Sequence, residues 1–316
     1  MDEKILALIR EQRDYISGEE ISKELGISRA GIWKHIEKLR SLGYEIEASP
    51  HLGYRFISAP DKLIPEEVSW KLNTRILGGK IYSFARTDST NTLAYNLAEK
   101  GEPQGSIVFA EEQTKGRGRF NRAWQSRAGG IYMSVILRPR IEPARTARIT
   151  LAASVAVAEA VIETTRLAAR IKWPNDILVN GKKVCGILTE MKAQQDETDF
   201  VVLGIGINVN NSPDSLPSTA TSLRSEAGKD ILRVSLARKI LELFEPYYLK
   251  VDDGFDDIIR RWRGLADTLG KRVKVHAHNQ QLEGQAMDVD ENGALLLRLD
   301  SGFNKHILSG DVELVR

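Results

Sequence analysis

Glycines alternating with arginines can hold an anion, and the chain carries such a run at Gly116-Arg117-Gly118-Arg119, with Arg122 and Trp124 just behind it. Glycine lets the main chain approach a bound group closely, while guanidinium offers paired donors to phosphate or carboxylate. Strand-like runs flank the segment, Val108-Phe109-Ala110 before and Ile131-Tyr132-Met133-Ser134-Val135-Ile136-Leu137 after, which predicts a loop. A flexible basic surface loop would have the same composition. The strict alternation and the apolar anchor Trp124 favour an anion site. Two familiar phosphate loops are excluded. No Gly-x-x-x-x-Gly-Lys-Ser/Thr run occurs, and Asn121 stands where a dinucleotide fingerprint would need its third glycine.

A second cluster lies at Ile171-Lys172-Trp173-Pro174-Asn175-Asp176-Ile177-Leu178. Asn-Asp after Pro is common in turns. A turn alone has no need of Lys172 and Trp173 before it, or of Lys182-Lys183 beyond the next strand. Together these residues put a carboxylate, an amide and ammonium groups at neighbouring strand ends. Such a set suits an anhydride of an acid with phosphate and stabilises charge developing on oxygen. Gly204-Ile205-Gly206-Ile207-Asn208-Val209 adds another glycine-bearing segment ending in an amide; a tight strand pair would read the same way. Ser89-Thr90-Asn91 precedes a helix predicted over 92–99 and by itself is an ordinary N-cap.

These groups need a frame, and 316 residues suit two or three domains better than one core. From about residue 66 to 266, strand-like and helix-like segments alternate, with helices predicted over 147–165, 236–249 and 255–263. That pattern is a catalytic-size α/β or α+β domain. In front of it, Ile5, Leu6, Leu8 and Ile9 form a helical stripe, and Ser17-Gly18-Glu19-Glu20 opens a second helix that stops at Gly26. Ser28 caps a third helix bearing Ile32, Ile36 and Leu39, ended by Gly43, and two alternating segments around Ser49-Pro50-His51 follow as a hairpin wing. This order predicts a helix-turn-helix over 18–37 with a wing. Residues 1–60 are not basic overall, with nine Lys/Arg against ten Asp/Glu. The stretch from Ser28 to Arg40 is basic, so Ser28, Arg29, Ile32, Trp33, Lys34, His35 and Lys38 are the DNA-binding candidates. A small helical docking domain with solvated basic residues is the competing reading. Pro60 and Pro65 bracket a linker. After Gly270, short alternating strands with a turn at Asp290-Glu291-Asn292-Gly293 predict a small β-barrel. The expected domains are 1–63, 64–267 and 268–316.

Composition narrows the setting. Hydrophobic residues are 42% and charged residues 28%, as in an ordinary globular protein, and a formal charge of only +2 means that any anion site arises from local clustering. Cys185, the one cysteine, excludes an internal disulfide; its apolar surroundings predict a buried, inert thiol. The first residues enter an amphipathic helix without a signal-peptide pattern, and no apolar run is long enough to span a bilayer, so a cytoplasmic protein without membrane contact is expected.

Ser89-Thr90-Asn91, Gln113-Thr114-Lys115-Gly116-Arg117-Gly118-Arg119, Lys172-Trp173-Pro174-Asn175-Asp176, Gly181-Lys182-Lys183 and Gly204-Ile205-Gly206-Ile207-Asn208-Val209 occur in that order. With them the chain resembles the bifunctional biotin protein ligase and biotin-operon repressor family over nearly its whole length. The resemblance implies a multidomain α+β protein: an N-terminal winged helix-turn-helix, a central α/β ligase domain with a mixed sheet and a C-terminal small β-barrel. It implies that Ser89, Thr90, Asn91, Gln113, Gly116, Arg117 and Gly118 bind biotin, and that Arg122, Trp124, Lys172, Asn175 and Asn208 lie at the nucleotide. Arg119, Lys183 and Asp176 carry the chemistry, Arg119 retaining the adenylate and Lys183 standing between biotin carboxylate and α-phosphate. Biotin and ATP are the implied substrates, with Mg²⁺ accompanying ATP on ligands the sequence leaves unassigned. Implied partners are a lysine of the biotin carboxyl carrier protein, operator DNA and, once adenylate is bound, a second copy of the chain. The loop departs from the usual family wording at Phe120-Asn121, where Arg-Gly is common; Arg122 keeps the third arginine. A biotin-sensing transcription factor without catalysis and a lipoate ligase are the alternatives. The first would not need Lys183 and an intact arginine loop, and the second lacks the winged helix and the Lys-Trp-Pro-Asn-Asp wording.

Overall fold

A computed structural model describes residues 1–194, 197–277 and 280–315. The chain forms two compact units: residues 1–62 together with 66–71, and residues 63–65 together with the chain from Leu72 onward.

In the first unit, α1 (Asp2–Glu11), α2 (Gly18–Leu25) and α3 (Arg29–Leu42) precede an antiparallel wing of β1 (Glu45–Ser49) and β2 (Gly53–Ser58). Ile5, Leu6, Ile9, Ile21, Ile32, Ile36 and Leu39 recur at helical spacing and are all buried between the helices. α2 opens in the predicted capping box. The Ser17 hydroxyl accepts from the Glu20 N–H and the Glu20 carboxylate from the Ser17 N–H. Gly26, left-handed at φ 66°, ends it. Ser28 caps α3 by accepting from the Gly31 N–H, so the turn between the helices is fixed at both sides. Just beyond the predicted linker, α4 (Pro65–Ser69) begins, and Glu67 forms a buried ion pair with Arg10, whose guanidinium also lies over the Tyr44, Phe56 and Trp70 rings.

The second unit is built on β3 (Ile81–Thr87), α5 (Thr90–Glu99), β4 (Ile107–Gln113), β5 (Ile131–Leu137), α6 (Ala147–Thr165), β6 (Ala169–Lys172), β7 (Asp176–Val179), β8 (Lys182–Gln194) and β9 (Glu197–Ile207). α7 (Leu223–Ala227), α8 (Arg233–Tyr248) and α9 (Phe255–Leu265) follow. The strands form one mixed sheet in the order β3-β4-β5-β9-β8-β7-β6. β3 and β4 run parallel across the α5 crossover; the other neighbours run antiparallel. β5 is buried along its full length, as its unbroken apolar run requires. α6, rich in Ala and Val, packs on β6, β7 and β8 with α8 and α9 against it.

The C-terminal strands are β10 (Arg272–Ala277), β11 (Gln280–Val289), β12 (Leu295–Leu299), β13 (Asn304–Ile307) and β14 (Asp311–Leu314), all antiparallel in the order β13-β12-β11-β10-β14. The expected closed barrel is not what forms: among the described residues no ladder joins β13 to β14, and the sheet is open. These edge strands are four residues long, and the short link between them turns its polar groups elsewhere. The Gly310 carbonyl and the Ser309 hydroxyl accept from Arg119 of the loop between β4 and β5 instead of closing a strand pair.

Candidate active site

The second unit holds a cavity of about 310 Å³. Its polar wall begins where α5 starts. Ser89 is the N-cap, accepting from the Thr92 N–H, and Ser89, Thr90 and Asn91 are all buried. The Thr90 N–H and hydroxyl both donate to Gln113 Oε1, at 2.8 and 3.1 Å, and Gln113 Nε2 donates to Ser126. The Gln113 amide is thereby fixed in one orientation. Asn91 donates to Glu190, which also accepts from Arg117 at 3.0 Å.

Close approach to the sheet explains the glycines of β9. A side chain at Gly204 would put Cβ 2.1 Å from Asn91 Oδ1, and one at Gly206 would put it 2.5 Å from Trp124 Nε1. The two residues share a face by the strand period, and that bare face forms part of the cavity wall beside Asn91 and Trp124.

The arginine loop is folded back on itself as a narrow hairpin. Trp124 N–H donates to the Gly116 carbonyl, Gly118 N–H to the Arg122 carbonyl, and Arg117 bridges Ala123. Phe120 and Asn121 form its tip with φ of 53° and 58°, the left-handed region that an Arg-Gly wording meets more easily. Arg119 reaches Asn175 Oδ1 at 3.2 Å, the Gly310 carbonyl at 3.1 Å and Ser309 Oγ at 3.0 Å; Arg122 pairs with Asp311. Burial lowers the Arg119 guanidinium from its ordinary value, with Asp311 and Asp176 opposing the shift. Opposite the loop, Lys183 Nζ lies 2.6 Å from Asp176 Oδ1 and 5.3 Å from the centre of the Trp124 ring. β7 and β8 place the pair: Asp176 opens one strand and Lys183 stands near the start of the next. Among the described residues at the cavity, the Trp124 Nε1 donor and the Asn208 Oδ1 acceptor are buried with neither a hydrogen bond nor an ion pair. Unpaired buried groups are costly, so both fit a polar ligand.

Of the predicted site residues, Ser89, Thr90, Asn91, Gln113, Arg117, Gly118, Arg119, Arg122, Trp124, Asn175, Asp176, Lys183 and Asn208 line the cavity. Gly116 and Lys172 do not. Gly116 is buried, where a Cβ would meet the Trp124 carbonyl at 2.5 Å, and Lys172 sits on β6 opposite Asp176. Trp173, beside it in the sequence, is a structural anchor: its N–H donates to Thr268 and its indole to the Gly293 carbonyl, tying the central sheet to the C-terminal one. The sequence reading missed the 216–220 segment and Asp311 as cavity residues; the strand pattern around Asp311 gave no chemical signal. Cys185 is fully buried, and burial pushes its thiol up, as expected of an inert side chain.

On α3, Trp33 is 56% exposed, and Ser28, Arg29, Lys34 and Lys38 are exposed as well. His35 and Lys38 both contact the Asp2 carboxylate of α1. Ile32 is corrected: it is fully buried in the helical core and offers nothing to a duplex.

The model of the biotin/lipoate A/B protein ligase family matches residues 83–208, an HTH domain model matches 2–55 and a biotin protein ligase C-terminal domain model 268–315. The bifunctional ligase/repressor BirA of Bacillus subtilis is 43% identical over 95% of this chain and 94% of its own length, and BirA of Escherichia coli is 31% identical over 98% and 96%. The biotin protein ligase from Aquifex aeolicus, solved in complex with biotin and ATP, superimposes with a TM-score of 0.64 at 31% identity, covering 75% of this chain and 99% of that one. The chain belongs to the BirA family of bifunctional ligase/repressors.

Proposed function

We propose that the cavity joins biotin to ATP as biotinyl-5′-AMP and passes the biotinyl group to a lysine of the biotin carboxyl carrier protein. One observation carries this reading. A single cavity combines fixed neutral hydrogen-bonding groups (Ser89, Thr90, Gln113), suited to a ureido ring, with a charged set (Arg119, Arg122, Asp176, Lys183), suited to a carboxylate and phosphates. In the first half-reaction a biotin carboxylate oxygen attacks the α-phosphorus and pyrophosphate leaves. Lys183 and the loop arginines hold the reacting oxygens together and stabilise the added charge. Mg²⁺ arriving with ATP would neutralise phosphate charge. Such ions take one or two carboxylates plus phosphate oxygens, and Asp176 and Asp311 are the carboxylates lining the cavity. In the second half-reaction a neutral lysine attacks the carbonyl and Asp176 takes its proton. The Arg117–Arg122 loop keeps water from the intermediate.

The first unit serves repression in this reading. α3 enters the major groove of operator DNA, led by Arg29, Trp33 and Lys34. Adenylate binding favours a homodimer through an exposed edge of the central sheet, so that two winged helices meet two half-sites. Residues 1–63, 64–267 and 268–316 are its working domains. Biotin-dependent exchange of labelled pyrophosphate into ATP, with lipoate as control, tests the ligase reading; no exchange, or equal exchange with lipoate, would defeat it.

A further inference from the structure

A second cavity of about 130 Å³ adjoins the first. The start of α6, Pro174, Gly293 and the β13–β14 link enclose it. Arg119, Asn175 and Ile187 belong to the walls of both cavities, so these residues stand between the two spaces. The guanidinium between them donates to Asn175, Ser309 and Gly310 and lies 3.9 Å from Asp311, contacts that an entering phosphate competes for.

The lining sets what fits. Leu151, Pro174, Ile187 and Leu308 are apolar, and the hydroxyls of Thr150 and Thr189 are 2.8 Å apart and bonded to each other. No carboxylate lines the space among the described residues, and its one cation is Arg119. That environment disfavours a free ammonium, and one cation is too few for pyrophosphate. At ~30 Å³ for each water-sized group, the space takes roughly four or five such groups, the size of a butylamine. Leu308 is 69% exposed and marks the mouth.

We infer that this second cavity is the entry channel for the acceptor lysine, an assignment that rests on the ligase reading above. The four methylenes lie along Leu151, Pro174 and Leu308, and the amine reaches the anhydride carbonyl past Arg119 once that guanidinium has turned onto the phosphates. Desolvation and the nearby arginine both favour the neutral amine. The nitrogen then forms the amide bond to the carbonyl carbon, the bond from that carbon to the phosphate oxygen breaks, AMP leaves with the electron pair, and the nitrogen's proton passes to Asp176.

Leu308→Trp narrows the mouth from the outside, and Thr150→Leu fills the channel from within. Three rates are measured on each full-length variant: biotin-dependent pyrophosphate exchange, transfer from adenylate to the carrier domain, and transfer to hydroxylamine, which needs no channel. Carrier transfer should fall by about tenfold or more while the other two hold. Unchanged carrier transfer in both variants would overturn the assignment, as would a parallel fall of all three rates in both. Absence of exchange in the unsubstituted chain would instead defeat the ligase reading itself.

Discussion

Lys183 and Asp176 lie 2.6 Å apart, so each neutralises the other until a ligand arrives. In the proposed reaction, a carboxylate and a phosphate entering between the loop and Lys183 would give this ammonium new partners and free Asp176 for proton transfer. Lys183→Met keeps the stem and removes the charge. It should lower pyrophosphate exchange by about 10²–10³-fold, the effect of losing one preorganised charged donor, with the melting temperature little changed. Exchange at the unsubstituted rate would remove Lys183 from the chemistry. Arg119→Gly removes the contacts to Asn175, Ser309 and Gly310 together. The adenylate should then escape into solution and label bystander amines; retention equal to the unsubstituted chain in a trapping assay would defeat the assignment. These charged residues were legible because their chemistry is local to short runs. Asp311 was not, since only the packing of the C-terminal sheet brings its carboxylate to Arg122. The bare face of Gly204 and Gly206 was legible as close approach, but which groups approach, Asn91 and Trp124, depends on elements far away in sequence.

At the scale of elements, caps and periodicity carried most of the fold. Ser17, Gly26, Ser28 and Gly43 bracket α2 and α3 as their types require, and the run at 131–137 is one buried strand. Closure of the C-terminal sheet was not legible, because alternation specifies faces and not whether two edges meet. Ile32 shows the same limit on a helix: membership of the apolar stripe decides its burial, whatever the neighbouring basic residues suggest. A tie between elements gives a pH prediction. Burial alone would raise the Asp2 carboxyl, but bonds to Lys38 and His35 outweigh it and hold the group below the ordinary aspartate value. A depressed folded-state value stabilises the unit above the unfolded aspartate value of about 3.9, and that contribution is lost as pH falls through the lower folded one. Protection factors of the α1 and α3 amides, corrected for the intrinsic exchange rate, should therefore fall below about pH 4. Asp2→Asn should raise exchange at neutral pH and flatten this acid dependence; an unchanged profile in the variant would exclude the tie as its source.

For the whole molecule, the question is how a ligase cavity governs a DNA-binding unit. In the proposed function the ligand binds the second unit and the helix-turn-helix belongs to the first, so any coupling would pass through a change that a filled cavity favours. Association of two copies would be such a change, because loops that close over an adenylate would lose less freedom on pairing once the ligand had ordered them. Sedimentation of the full chain should show dimerisation strengthened by about 5- to 150-fold when a non-transferable biotinyl-adenylate analogue is bound, the range of ordinary coupling energies. Operator affinity should rise with the dimer, and its salt dependence should follow the phosphates that two copies of α3 neutralise. With authentic adenylate, added carrier domain should dissolve the dimer at the rate of transfer, because the ligand that favours it is consumed; with the analogue it should not. A dimer fraction that ignores the ligand would leave the helix-turn-helix uncoupled from the cavity and reduce regulation to the amount of protein made.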